Sequence, residues 1–260
     1  MFKLSVLVLA VITYANALPA NLLAQTTIDD AADWRIVGGT NAAAGAYPFV
    51  VSLRSSSNSH FCGGSILNTR WVLTASHCII GSTTANVFVY AGSNILNSGG
   101  VTIPTSRLTL HSNYDHDIAA NDVAVIQLAN ALTYSNTIAP VALNIGETGA
   151  VAAILIGWGR ISTNGAIPNN LQELSTNTIT HTICRLSWGS LVSSDQICAV
   201  ARSGQGACSG DSGGPLIQAS NNVQLGVTSF IRAGGCAQGF PDVYARVSSY
   251  NSWITNALSS

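Results

Sequence analysis

The 260-residue chain reads as an all-β protein that ends in a single helix. Three observations lead there. From Ile36 onward, short β-branched and apolar runs alternate with Gly/Asn/Ser turns, at lengths that suit strands and spacings that suit barrels or sandwiches. Helical spacing emerges only around Val247–Leu258, where Tyr250, Trp253, Ile254 and Leu258 recur at helical intervals. The stretches before and after about residue 140 hold similar numbers of strand-like runs with no linker between them, which permits two packed barrels.

Taken in order, residues 1–17 carry Lys3, a mostly apolar run from Leu4 to Ile12, and Ala15-Asn16-Ala17, the pattern of a cleavable secretory signal. The run is too short to span a bilayer. Residues 18–35 are rich in Ala and Asp, lack cysteine and end at Arg35, as a removable pro-segment would. Residues 36–260 then form the mature domain, with strands expected at Phe49–Leu53, Ser65–Leu67, Trp71–Thr74, Asn86–Tyr90, Val123–Leu128, Ala152–Ile156, Pro215–Ile217 and Gln224–Ser229. There is no internal repeat or long low-complexity segment.

Composition narrows the function classes. Hydrophobic residues make up 47% of the chain and charged residues 8%, at a net charge of −1. That is ample for a core and offers no basic surface for nucleic acid and no membrane span. Six cysteines stand at 62, 78, 184, 198, 208 and 236. In a secreted chain an even set reads as three disulfides, in any of fifteen connectivities. No two lie at the C-x₂-C spacing of a zinc site. His111 and His116 with Asp115 and Asp117 are poorly spaced for a metal, and no Asp or Glu occurs between Asp33 and Asp115 to serve a hard cation. No metal or other cofactor is expected, nor N-glycosylation, since no N-x-Ser/Thr sequon occurs.

Three stretches carry chemistry. Gly210-Asp211-Ser212-Gly213-Gly214-Pro215 sets a serine among glycines that permit positive φ and leave backbone N–H groups uncovered, as a nucleophile with an oxyanion hole requires. Trp71–Cys78 ends an apolar strand with His77, and Asn121–Ile126 opens one with Asp122. A serine attacks usefully when an imidazole takes its proton and a buried carboxylate fixes that imidazole's tautomer. Each piece alone has an ordinary explanation: a surface turn, a packing histidine, a turn aspartate. Together with a signal and disulfide-type cysteines, those explanations lose ground.

With these residues in place the chain resembles the chymotrypsin-like, trypsin-fold serine endopeptidases, from Ile36 to about Leu258. The matching segments are Ile36–Gly39, Cys62–Ser65, Leu73–Cys78, Asp122–Leu128, Gly157–Gly159, Cys208–Pro215 and Val243–Val247. The resemblance implies two packed six-stranded antiparallel β-barrels with a C-terminal helix, meeting near residues 140–150. It implies His77 as general base and acid, Asp122 as its orienting carboxylate, Ser212 as nucleophile, and the N–H groups of Gly210 and Ser212 as the oxyanion hole. Ser229 matches a serine that supports the buried aspartate, and Trp188 an aromatic behind the substrate pocket. The disulfides are implied as Cys62–Cys78, Cys184–Cys198 and Cys208–Cys236. It also implies that cleavage between Arg35 and Ile36 frees an α-ammonium that pairs with Asp211 and orders the oxyanion loop, so the precursor is expected to be inactive and to need a trypsin-like activating protease. His60, His111, His116 and His181 are read as surface or packing residues.

In the pocket the sequence departs from trypsins. Gly206 stands where trypsins carry a floor aspartate, and Asp242 stands where a glycine is common, so a carboxylate is expected to enter from another wall. A capped or outward-turned Asp242 is the alternative. This pairing is similar to arthropod collagenolytic proteases. In Ser229-Phe230-Ile231, the branched Ile231 replaces a glycine and narrows the mouth in elastase fashion, which ranks small or medium apolar P1 residues first, aromatic ones second and basic ones third. Lys3 is the only lysine, against eight arginines from Ile36 onward, which suits a strongly alkaline fluid or reflects compositional drift. The expectation is a secreted, monomeric digestive endopeptidase, acting in a gut lumen on protein and peptide substrates and met there by protein protease inhibitors. The rival is a non-catalytic homologue that binds or regulates.

Overall fold

The computed structural model describes residues 36–200 and 202–259. The signal-like and pro-segment-like residues 1–35, Arg35 among them, lie outside these. β1 (Thr40–Asn41) precedes a first set of strands: β2 (Val50–Arg54), β3 (His60–Asn68), β4 (Trp71–Thr74), β5 (Phe88–Ala91), β6 (Val101–Leu110) and β7 (Ala124–Leu128), with α1 (Ser76–Ile79) inserted after β4. These six strands close into a barrel in the order β2-β3-β4-β7-β6-β5. β2 and β4 are buried along their whole length, and their Val, Leu and Trp side chains fill the barrel with Val125 and Ile126 of β7. Apolar side chains leaving water drive the closure, and a closed barrel leaves no unpaired edge.

The second set is β8 (Ala152–Gly157), β9 (Gln172–Ile179), β10 (Gln196–Ala199), β11 (Pro215–Gln218), β12 (Gln224–Phe230) and β13 (Asp242–Arg246). α2 (His181–Trp188) links β9 to β10, and α3 (Val247–Ser259) ends the fold. Strand order is β1-β9-β10-β13-β12-β11-β8, and β8 also pairs antiparallel with β9 from Ala152↔Asn177 to Gly157↔Gln172. That pairing closes a ring of six, with β1 joined to the start of β9. Two closed six-stranded barrels and a C-terminal helix match the expected fold.

All eight expected strand segments fall wholly or mostly inside observed strands. β1, β6, β9, β10 and β13 are not among them; in β9, Gln-Glu-Leu-Ser-Thr-Asn-Thr-Ile mixes polar with apolar and is only half-buried, and its pairing partners, not its own hydrophobicity, hold it. The three disulfides join Cys62 to Cys78, Cys184 to Cys198 and Cys208 to Cys236, the pairing the resemblance implied.

Candidate active site

β4 and β7 are antiparallel neighbours, with Leu73 opposite Val125 and Thr74 opposite Ala124. The residues just beyond the end of β4 therefore meet those just before the start of β7. His77, on the single turn of α1, and Asp122 occupy those places. His77 Nδ1 lies 2.7 Å from Asp122 Oδ2, and the His77 backbone N–H donates to Oδ1 at 2.9 Å. Ser229 Oγ, from β12 of the other barrel, donates to the same Oδ2 at 2.6 Å. A carboxylate only 1% exposed thus has three donors. Because the carboxylate side accepts, Nδ1 carries the ring proton and Nε2 keeps its lone pair free to take another.

The Ser212 loop reaches this pair through tight packing. Gly213 has φ 76°, and a Cβ there would strike Thr74 Oγ1, the Gly63 carbonyl and Cys78 Sγ, so only glycine fits. The Gly63 N–H donates to the Ser212 carbonyl at 2.7 Å, and the Cys62–Cys78 disulfide ties β3 to the histidine turn. Cys78 Sγ is itself 3.7 Å from His77 Nε2. Within the loop, the N–H groups of Asp211, Gly213 and Gly214 bond to the carbonyls of Cys208, Thr228 and Asp211. Among the described residues no backbone carbonyl accepts the N–H groups of Gly210 and Ser212.

Asp211 points away from Ser212 into the second barrel. It is fully buried, and its oxygens accept the Gly159 N–H at 2.8 Å and the Cys208 N–H at 2.9 Å. A side chain on Gly157 or Gly159 would overlap this carboxylate. Burial pushes its pKa up to about 7, against the downward pull of the two N–H bonds. Ile36 is likewise wholly buried, packed in the second barrel with Leu155, Ala207 and Tyr244.

His60 was expected to be a surface or packing residue, and the structure gives it more. It is 9% exposed, and its Nε2 lies 3.0 Å from the Gly210 carbonyl while Nδ1 lies 2.8 Å from Ser52 Oγ. Arg54 Nε donates to that hydroxyl oxygen at 3.4 Å. A carbonyl only accepts, so His60 donates from Nε2 and Ser52 donates to Nδ1. Burial lowers the His60 pKa to about 4, so the ring stays neutral and this one tautomer persists. No local sequence feature marks the role, because Gly210 lies 150 residues away.

Beside Ser212 opens a cavity of about 110 Å³ lined by Ala207, Cys208, Ser209, Ser212, Thr228, Ser229, Phe230 and Ile231. Two residues expected in the pocket sit behind this lining. Gly206 donates its N–H to Val37, and Asp242 accepts the Ala207 N–H at 2.7 Å while only 4% exposed. The Asp242 carboxylate is therefore the capped form, because a buried acceptor takes the nearest backbone donor in preference to facing an apolar wall. Burial pushes its pKa up to about 7 as well, aided by the Asp211 charge. Trp188 packs edge-on against Phe230 at 5.2 Å and donates Nε1–H to the Pro241 carbonyl. Across Phe230 and Ile231 lies a second, mostly apolar cavity of about 280 Å³, walled by Ile118, Trp188 and Leu191.

Comparison with known proteins agrees with this geometry. A model of the Trypsin family matches residues 36–254. Chymotrypsin-2 of Vespa crabro is 41% identical over 222 residues, covering 84% of this chain and 98% of that protein. Trypsin beta of Drosophila erecta is 38% identical over 263 residues, covering 98% and 99%, and Trypsin alpha-4 of Lucilia cuprina is 38% identical over 233 residues, covering 88% and 89%. No helix among the described residues is long and apolar enough to cross a membrane.

Proposed function

The chain belongs to the trypsin family and is a serine endopeptidase, and we propose that it is secreted as a zymogen, activated by cleavage between Arg35 and Ile36, and digestive. In this reading Ser212 Oγ attacks the scissile carbonyl while His77 Nε2 takes its proton. Asp122, held by Ser229, fixes the imidazole and stabilises its charged form. The tetrahedral oxyanion is received by the N–H groups of Gly210 and Ser212. His77 then gives its proton to the leaving amine, and water repeats the sequence on the acyl-enzyme. The observation that carries the reading is the His77–Asp122–Ser229 set, packed against a serine loop with two open N–H groups.

Cleavage would turn the Ile36 backbone nitrogen into an ammonium, and the buried Asp211 carboxylate is the counter-ion we assign to it. A small or medium apolar P1 residue fits best, since the 110 Å³ cavity has no charged side chain in its lining and the branched Ile231 is part of that lining. A gut lumen is the assigned site of action, with a trypsin-like protease as activator.

A serine-directed fluorophosphonate tests both halves. The chain cleaved after Arg35 should be labelled at Ser212, and the uncleaved chain should not. Absence of labelling after cleavage would leave the non-catalytic homologue as the reading, and equal labelling of both forms would remove the zymogen. Among P1 peptide substrates, Ala, Val or Leu should exceed Arg by at least about tenfold, since charge without a partner is costly in such a pocket; faster cleavage after Arg would overturn the assigned preference.

A further inference from the structure

We propose that the cavity on the other side of the nucleophile loop is a subsite for an acidic side chain on the leaving-group half of the substrate; this rests on the Ser212 endopeptidase reading. The cavity holds about 300 Å³ and is lined by Arg54, Asn58, His60, Leu96, Asn97 and Asn169, among others. It shares no lining residue with the cavity beside Ser212.

Arg54 gives the site its chemistry. The residue ends β2, is 4% exposed, and has its guanidinium carbon over the Tyr90 ring, 3.6 Å from the ring centroid. It donates to Asn58 Oδ1 at 2.9 Å, to the Leu96 carbonyl and to Ser52 Oγ. Every one of those acceptors is neutral. Among the described residues no carboxylate pairs with Arg54, and His60 beside it is itself uncharged at neutral pH. A guanidinium has five N–H donors, so after these three and its hydrogen bond with Tyr90 one remains for a ligand. A buried cation without a counter-ion is unfavourable, and a carboxylate entering the cavity would supply one through a charge-assisted hydrogen bond.

The cavity's place decides which part of the substrate reaches it. His60 donates to the Gly210 carbonyl and Gly63 to the Ser212 carbonyl, so the head of β3 runs along one side of the nucleophile loop. β12 and Ile231 wall the other side, around the cavity that takes the acyl-side residue. A peptide seated there and crossing Ser212 continues toward β3, which carries the residues after the scissile bond to Arg54. The same hydrogen-bonded row, Arg54 to Ser52 to His60 to Gly210, ties this subsite to the loop it serves.

The test uses the cleaved enzyme and internally quenched peptides with Leu fixed at P1 and Glu, Asp, Ala or Lys at each of the first three leaving-side positions. At one position, Glu or Asp should raise kcat/KM about tenfold over Ala and further over Lys, and the advantage should shrink as salt rises from about 0.05 to about 0.5 M. Arg54→Gln should erase the preference. Because Arg54 also ties down the Leu96 loop, Asn97→Asp at the exposed rim gives a second reading, in which the ratio of acidic to lysine peptides falls or inverts. A Leu nitroanilide, which has no leaving-side residues, reports Ser212 chemistry alone. If it is hydrolysed while acidic and lysine peptides react equally, the subsite is refuted and the endopeptidase stands; if neither substrate class reacts, the endopeptidase reading falls and the subsite with it.

Discussion

Asp122 and Asp211 are the same residue at the same burial, 1% and 0% exposed, one serving each barrel's part of the site, and they are supplied very differently. Asp122 has a backbone N–H, a hydroxyl and an imidazole. Asp211 has two backbone N–H groups and a glycine-lined hollow, and its pKa is pushed up to about 7. Asp242, a second buried carboxylate nearby, has one N–H and is also raised to about 7. The His77–Asp122 pair of the first barrel is therefore fully hydrogen-bonded, while among the described residues no cation pairs with the buried carboxylates of the second. In the activation proposed above, the Ile36 ammonium would supply the missing charge beneath the serine loop.

The largest effect separates the two aspartates by mechanism. Asp122→Asn should cut kcat by about 10⁴-fold, a magnitude carried over from this family's triad, with little change in thermal midpoint, because the imidazole loses its tautomer and the fold loses little. Asp211→Ala should abolish activity even in correctly cleaved protein, through disorder of the oxyanion loop. Full activity of cleaved Asp211→Ala would erase the contrast, and steady-state kinetics with a Leu nitroanilide measures it.

A smaller effect sharpens the contrast at the pocket. Ile231→Gly should raise kcat/KM on Phe or Tyr substrates by about tenfold, since space for a ring is worth roughly 1–3 kcal/mol. An unchanged ratio of Phe to Ala substrates would show that Ile231 does not set the mouth.

The smallest effect is a pH dependence of stability. Folded pKa values near 7 for Asp211 and Asp242 stand above the ordinary 3.8, so between those values the folded chain holds more protons than the unfolded one. Stability of the uncleaved chain should therefore be full below about 4, fall as pH rises to about 7, and level off above it. The cleaved chain should fall less steeply, because an ammonium beside Asp211 would favour its charged form. Thermal midpoints at several pH values for an Arg35→Gln chain and for cleaved protein provide the comparison, and parallel curves would argue that no cation reaches Asp211.

Much of the site was legible because its residues carry local marks. His77 and Asp122 flank apolar strand ends, and Ser212 sits among glycines whose positive φ is visible in their identity. Arg54 and His60 carry no such mark: each matters through partners far along the chain, Leu96 for one and Gly210 for the other. Asp242 shows a further limit. Its position beside the pocket was readable, but the direction of its carboxylate depended on the Ala207 N–H, a donor supplied by the β-strand neighbourhood.

By itself the sequence determined the alternation that makes barrels, an even set of six cysteines, and the three residue types that nucleophilic catalysis needs, because periodicity and chemical type are properties of the chain alone. Tertiary structure decided which buried charges are satisfied. A hydrogen bond to a carboxylate or a guanidinium costs or stabilises according to what stands within about 3 Å of it, and that neighbour is chosen by folding: Ser229 for Asp122, Ala207 for Asp242, and Asn58 and the Leu96 carbonyl for Arg54.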